Sequence, residues 1–193
     1  MCGRFWIARE GDEDWTRIMA ELNRKPSRQA VKSTGDIFPG DFVPVLATSR
    51  AGIPSVFAMK WGLPVQKRLL INVRSETADE KPVFQESASC RRCLIPASGY
   101  YEWQQTETEK RCFGVDRPGH NPLYLAGLYF LREGLPVFAV LTREAVEESA
   151  KIHHRMPVLM EKRQMRAWLR PAGSVSTQLP PPHTDLRIRP MDS

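Results

Sequence analysis

The sequence predicts an α+β fold: a compact single domain, spanning residues 1–193, around a mainly antiparallel, barrel-like β-sheet with peripheral helices. Many short apolar or alternating segments follow one another, separated by glycine and proline, which is typical of antiparallel strands. Only a few segments carry the i, i+3, i+4 spacing of an amphipathic helix. The length suits one domain, and the sequence contains no internal repeat and no interdomain linker.

The N-terminal half of the chain predicts one helix among several strands. A first strand at 3–8 is followed by a turn at 11–14 and by a helix whose apolar face is Trp15, Ile18, Met19 and Leu22. Strands are expected at 42–48 and 55–61, and the glycine and proline at 62–64 end the second. Segment 69–77 changes from apolar to polar, as in an element that delivers side chains to a cleft or in an ordinary strand end.

The C-terminal half predicts further strands and two short helices. Segments 91–96 and 100–104 flank a bend at 97–99. Strands are expected at 111–116, 124–130, 136–142 and 186–189, and segment 153–159 is expected to lead into another strand. Helices are expected at 144–150 and 162–170, and the stretch 173–184 is predicted to be a surface loop.

Composition and charge narrow the class of partner. The net charge is +6, with 28 basic and 22 acidic residues, which favours an anionic partner such as nucleic acid. No stretch approaches the ~20 apolar residues of a membrane span, and no secretory signal is recognisable, so we expect a cytoplasmic protein without a membrane partner. The four cysteines are expected to be thiols in that reducing setting.

Motifs for metals and cofactors are incomplete. Cys90 and Cys93 form a CxxC pair, but a second pair at zinc-site spacing is missing from the sequence. The sequence also lacks the phosphate-binding GxxxxGK[ST], the dinucleotide-binding GxGxxG and the zinc-binding HExxH motifs. We therefore expect no metal and no cofactor.

Cys2 is the candidate nucleophile. Removal of Met1 would give it a free α-amine, with a pKa near ~7.8, beside a thiol with a pKa near ~8.5. Such a 1,2-aminothiol captures an aldehyde first as a Schiff base and then as a thiazolidine ring. A frayed terminus is the alternative, but the apolar segment that follows Cys2 predicts a strand that holds it in place.

Other residue types needed for nucleophilic catalysis are present. Glu102 lies among Tyr100, Tyr101 and Trp103, either as a desolvated acid or as a solvent-side residue of a strand. With His153 it could activate a thiol or an amine. From the residues alone, a thiol peptidase and an aldehyde-capturing protein stay equally open.

Six blocks of the chain, in order, resemble the SOS-response-associated peptidase (SRAP) family of abasic-site-processing proteins. They are residues 2–5, 39–40, 61–62, 72–77, 93–103 and 153–157. The last three are similar to the family patterns Asn-Ala-Arg-x-Glu-Thr, Cys-Leu-x-Pro-Ala-x-Gly-Phe-Tyr-Glu-Trp and His-x-Arg-Met-Pro. The chain departs from the family at 36–38, where Asp-Ile-Phe precedes the proline.

The resemblance implies a barrel-like α/β fold with a groove for single-stranded DNA, and it assigns residues to the site. Its implied catalytic residues are Cys2, Asn72, Glu102 and His153. Its implied DNA-binding residues are Arg4, Arg74 and Arg155 on phosphates and Pro39 and Trp61 against bases. The expected function is an abasic-site sensor that forms a thiazolidine cross-link, with AP-lyase and autoproteolytic activity. We expect a monomer whose partner is single-stranded DNA with abasic sites; a thiol peptidase and a non-covalent single-strand binder are the rivals.

Overall fold

The structure is a computed structural model that describes residues 2–8, 13–25, 29–119 and 122–191. Its helices are α1 (Glu13–Asn23), α2 (Pro82–Cys90), α3 (Glu147–Ile152) and α4 (Lys162–Leu169), with 3-10 turns at Ser75–Thr77 and Ser176–Gln178. Its strands are β1 (Arg4–Ile7), β2 (Gly35–Ile37), β3 (Phe42–Thr48), β4 (Pro54–Trp61), β5 (Leu63–Val65), β6 (Arg68–Leu70), β7 (Asn72–Arg74), β8 (Arg92–Ala97), β9 (Gly99–Gln105), β10 (Lys110–Asp116), β11 (Leu123–Arg132), β12 (Leu135–Glu144), β13 (Arg155–Pro157), β14 (Leu159–Met160) and β15 (Arg187–Pro190).

Five strands close into a barrel in the order β12–β4–β3–β8–β11 and back to β12. The longest runs of apolar residues supply its walls, and Leu94, Leu125 and Phe138 on three of these strands are fully buried. Among the named strands, β12 pairs in parallel with β4 and with β7, and the other pairings are antiparallel. The prediction of a mainly antiparallel, barrel-like sheet with peripheral helices is confirmed.

A second sheet carries the N-terminus in the order β15–β10–β9–β1–β2. Strand β1 lies between β9 and β2, with Phe5 opposite Tyr100 on one side and opposite Ile37 on the other. Phe5 and Ile37 are fully buried. The start of the chain is therefore held on both sides, as the apolar segment after Cys2 predicts, and Ser98 alone separates barrel strand β8 from β9.

Two helices differ from the sequence prediction. Helix α2 was not predicted, although Pro82 occupies its first turn and Phe84, Ser87 and Ala88 form its buried face. Helix α3 begins at Glu147, because the preceding residues through Glu144 extend barrel strand β12. The predicted turn at 11–14 begins outside the described residues. No helix in the described ranges is long and apolar enough to cross a bilayer.

Candidate functional site

The four predicted catalytic residues come from four separate elements that meet between the barrel and the second sheet. Cys2 precedes β1, Asn72 begins β7 beside barrel strand β12, Glu102 lies on β9, and His153 follows α3. The Asn72 Nδ2 atom donates a hydrogen bond of 2.9 Å to the Cys2 carbonyl oxygen. The negative charge of Glu102 acts on both the Cys2 thiol and the His153 ring. This hydrogen bond and these charge interactions place the predicted residues in one site.

The Cys2 thiol is fully buried, and its Sγ atom lies 3.8 Å from the Arg4 carbonyl oxygen as a weak donor. Burial raises the pKa of this thiol well above its ordinary value, and the nearby Glu102 charge raises it further. The sulfur therefore carries its proton at neutral pH. A cysteine hydrolase that attacks as a thiolate needs a lowered pKa instead.

Glu102 occupies the buried face of β9 and is 4% exposed, so the solvent-side alternative for this residue is wrong. Its Oε1 atom accepts a hydrogen bond of 3.2 Å from the backbone N–H of Trp103. The pairing of β1 with β9 explains the position of Glu102. Arg4 of β1 pairs with Tyr101, so Glu102, the next residue of β9, lies beside the residues that precede β1. The carboxylate is thereby held beside the Cys2 thiol.

His153 is oriented by the backbone on both sides. The backbone N–H of His153 donates a hydrogen bond of 3.1 Å to the Ser149 carbonyl oxygen. The ring Nδ1 atom accepts one of 2.9 Å from the Arg155 backbone N–H. Because Nδ1 is an acceptor, the neutral ring carries its proton on Nε2. Burial lowers the pKa of His153 below its ordinary value. The Glu102 charge opposes this shift, and His154, whose ring stacks on His153 at 4.3 Å, adds to it.

The Arg155 guanidinium is engaged inside the protein. Its two terminal nitrogens donate to the two carboxylate oxygens of Glu76 at 2.8 Å each, and one also donates to the Thr142 carbonyl at 2.7 Å. Arg155 is 9% exposed. A DNA phosphate would have to compete with this bidentate pair, so phosphate binding by Arg155 stays a prediction.

The remaining predicted DNA contacts lie in different environments. Arg74 is exposed at the end of β7, two residues after Asn72. Pro39 lies in a turn that is closed by a hydrogen bond of 3.0 Å from the Asp41 N–H to the Phe38 carbonyl. Arg4 is partly exposed and stacks on Tyr101, with its Cζ atom 4.1 Å from the ring centroid.

Trp61 does not fit the expectation that it stacks on a DNA base. Its side chain is fully buried, its ring packs on Phe5 and Phe138, and its indole Nε1–H donates to the Ile71 carbonyl at 3.1 Å. Closure of the barrel over the end of β4 puts the ring in the core. An exposed apolar surface next to Asn72 is supplied instead by the β5–β6 hairpin, where Val65 is 36% and Leu69 45% exposed.

Tyr100 is a site residue that the sequence analysis did not single out. It is 1% exposed, it lies two residues before Glu102 on the same face of β9, and its hydroxyl is hydrogen-bonded to Ser149 of α3. Burial raises the pKa of Tyr100, and the nearby Glu102 charge raises it further. Its i, i+2 spacing from Glu102 was the available signal.

The CxxC pair is divided between two environments. Cys93 is fully buried in the barrel, whereas Cys90 is exposed at the end of α2 and its Sγ atom donates to the Glu86 carbonyl at 3.1 Å. Among the described residues, no group of three or more histidine, cysteine or acidic side chains is arranged to hold a metal ion.

Comparisons with known proteins agree on one family. The family model described as "SOS response associated peptidase (SRAP)" matches residues 1–193. The abasic site processing protein YoaM of Bacillus subtilis is 33% identical to this chain, and the alignment covers 90% of this chain and 81% of YoaM. YedK of Escherichia coli, also named an abasic site processing protein, is 26% identical over 179 residues, covering 88% and 80% of the two chains.

Solved structures share the fold. A protein from Bacteroides thetaiotaomicron superposes with a TM-score of 0.79 at 20% identity, covering 99% of this chain and 92% of its own. A phage-related protein from Bordetella bronchiseptica gives a TM-score of 0.77 at 23% identity, covering 100% and 95%.

Proposed function

Because the chain belongs to the SOS response associated peptidase (SRAP) family, we propose that it processes abasic sites in single-stranded DNA by cross-linking to them through Cys2. The observation that carries this proposal is the position of Glu102, whose buried charge acts on both the Cys2 thiol and the His153 ring. The names of the relatives, which are abasic site processing proteins, support the DNA lesion as the target.

The chemistry begins with the amine. Removal of Met1 converts the Cys2 amide nitrogen into an α-amine, which adds to the aldehyde of the ring-opened deoxyribose. Loss of one water molecule gives the imine. The Cys2 sulfur then adds to the imine carbon and the thiol proton passes to the nitrogen, which closes the thiazolidine ring. If the imine instead loses a C2′ proton, the C3′–O bond breaks, which is AP-lyase activity.

The surrounding residues suit these proton transfers. The Glu102 carboxylate, which is buried beside the thiol, can accept a proton from the amine or the sulfur and return it as water leaves. Asn72 holds the Cys2 carbonyl, which fixes the reacting residue against β7. Neutral His153 presents its Nε2–H as a donor to the sugar oxygen during ring opening.

A DNA strand that reaches this site would meet exposed groups of matching chemistry. Arg74 and Arg4 flank Asn72 and Cys2 in the sequence and can bind phosphates. Pro39, beside the 45% exposed Phe38, offers an apolar edge. The net charge of +6 favours the same partner. We still predict that the protein is a single-domain monomer that acts in the cytoplasm and needs no cofactor.

The peptidase alternative is less well supported. Peptide hydrolysis by cysteine needs a thiolate, and here burial and the Glu102 charge both raise the pKa of the Cys2 thiol. Amine-first capture needs no thiolate, because the sulfur attacks an imine that has already formed. Autoproteolytic removal of Met1 stays a prediction alongside the cross-link.

The experiment is an adduct assay with protein whose mature mass shows loss of Met1. A single-stranded oligonucleotide with one abasic site should give a heat-stable adduct on a denaturing gel, and the same oligonucleotide without the lesion should not. Cys2→Ala should abolish the adduct, whereas Cys90→Ala, which removes an exposed thiol, should retain it. No adduct from the wild type would refute the cross-link, and salt-sensitive binding in its place would select the non-covalent alternative.

A further inference from the structure

The outer face of the second sheet, on the side opposite Glu102, carries a row of aromatic and basic side chains. On β9, Tyr101, which is 8% exposed, and the partly exposed Trp103 lie on the face opposite Glu102, and Arg4 and Trp6 of β1 lie next to them. The rings of Trp6 and Tyr101 have centroids 4.9 Å apart. The Arg4 guanidinium carbon lies 4.1 Å from the Tyr101 centroid and 5.2 Å from that of Trp103.

Glycine makes this face flat beneath Trp6. A Cβ atom added to Gly99 would lie 2.1 Å from the Trp6 ring, and one added to Gly114 would lie 3.6 Å from it. The indole therefore rests directly on the backbone of β9 at Gly99, whereas the space over Gly114 on β10 is taken mainly by the Met191 side chain. Such a close approach needs glycine at position 99, because any other residue would lift the ring from the sheet.

An open groove of about 540 Å³ lies over this surface and is lined by Trp6, Thr34, Asp36 and Tyr101 among others. Its polar edge is ordered: the Tyr101 hydroxyl donates to Asp36 Oδ1 at 2.8 Å, and Arg4 lies 3.6 Å from the other oxygen of the carboxylate. The groove thus combines two aromatic rings tilted by 54° to each other, hydrogen-bonding groups and a cation at its rim.

Two more cations lie against the aromatic rings that neighbour Arg4. Lys32 lies 5.2 Å from the ring centroid of the exposed Phe38, and Lys110 lies 5.5 Å from that of Trp103. Aromatic surfaces with basic residues at their rims bind single-stranded nucleic acid, because bases stack on the rings while phosphates meet the cations.

We propose that this outer-face groove binds an undamaged base of the same DNA strand, stacked on Trp6, while the lesion lies at Cys2. The inference rests on the proposed function. Arg4 connects the two places, since it is two residues from both Cys2 and Trp6 along the chain. A base a few nucleotides from the lesion reaches the groove, and the Arg4 guanidinium between them meets the connecting phosphate.

The test uses single strands with one abasic site and a 5-iodouracil at one of several positions on either side. After the Cys2 adduct forms, irradiation should attach the iodouracil to the peptide that contains Trp6 from one position or two adjacent ones. In a separate titration, Trp6→Leu should weaken non-covalent binding of an undamaged strand roughly 5- to 150-fold, the range expected for one stacked base, and Trp6→Phe should restore most of it.

The outcomes separate the two proposals. Absence of a Cys2 adduct in the wild type would refute the proposed function. A normal Cys2 adduct without any Trp6 photoproduct, or equal affinities of the wild type and a folded Trp6→Leu, would refute the groove alone. Thermal unfolding shows whether Trp6→Leu is folded. If Trp6→Leu is not folded, the groove is tested by the Trp6 photoproduct of the wild type and by the affinity of Trp6→Phe for the undamaged strand.

Discussion

The ion pair between Glu76 and Arg155 gives a prediction that can be worked from the structure. Arg155 is 9% exposed, and Glu76 Oε1 and Oε2 each accept one of its N–H groups at 2.8 Å. Glu76→Gln removes the negative charge but preserves the shape and one acceptor. The buried guanidinium then keeps its charge without a carboxylate.

The expected cost lies between two known limits. Breaking a fully buried pair costs about 3–5 kcal/mol, and an exposed pair contributes about 0–1 kcal/mol. The Glu76 side chain is 49% exposed, so water screens its half of the pair. We expect Glu76→Gln to destabilise the fold by about 1–2 kcal/mol, a loss of about 2–8 °C in Tm for a chain of this size.

The pH dependence follows from the direction of the shift. Hydrogen bonds from Arg155 lower the pKa of Glu76 below its ordinary value. A lowered pKa in the folded state means that the stabilisation is complete above the ordinary value of ~4.3 and is lost as the pH falls through the lowered one. The difference between wild type and Glu76→Gln should therefore be present at pH 7 and shrink in acid.

Urea unfolding followed by far-ultraviolet circular dichroism at several pH values measures both effects. Glu107→Gln is the matched control, because Glu107 is exposed in the turn between β9 and β10. It should unfold at nearly the same urea concentration as the wild type. Equal stabilities of Glu76→Gln and the wild type at pH 7, or a difference that does not change with pH, would refute the reasoning.

Three further predictions concern the site and its support. The NMR titration of His153 should have its midpoint below about 6.5, because burial lowers its pKa, and its contribution to stability should be lost as the pH falls below that value. Gly99→Ala should destabilise the fold by about 1–3 kcal/mol in urea, because the added carbon would overlap the Trp6 ring. Trp61→Phe should lower the free energy of unfolding by about 1–3 kcal/mol through its lost hydrogen bond and volume, without changing affinity for single-stranded DNA.

Each of these has a clear contrary result. A histidine signal, assigned by its absence in His153→Gln, with a midpoint above 6.5 would contradict the burial argument. Wild-type stability of Gly99→Ala would mean that the indole does not rest on the backbone. Weaker DNA binding by a stable Trp61→Phe would return Trp61 to the DNA-binding surface.

Local periodicity in the sequence predicted most of the secondary structure. Strands β3 and β4 and helix α4 lie close to their predicted positions, because alternation and helical spacing reflect burial of one face. Helix α2 was missed since its apolar face is short, with two apolar residues and one serine buried. The start of α3 was misplaced because pairing with β13 extends β12 to Glu144.

The site residues were proposed from motif resemblance, but the sequence could not predict which side chains surround them. Glu76 and Arg155 are 79 residues apart, and no local pattern shows that one guanidinium is held by that carboxylate. Trp61 likewise looks like an accessible aromatic at the end of a strand until barrel closure buries it.

The residues in order were sufficient to predict the strand-rich fold, the family and the candidate nucleophile Cys2, because these depend on side-chain chemistry and on periodicities only a few residues long. Folding settles which groups face one another. Pairing of β1 with β9 brings Glu102 to Cys2, and the bond from Asn72 fixes that residue from the other side. Burial and neighbouring charge then set the protonation state of the thiol, and both arise only when distant strands pack together.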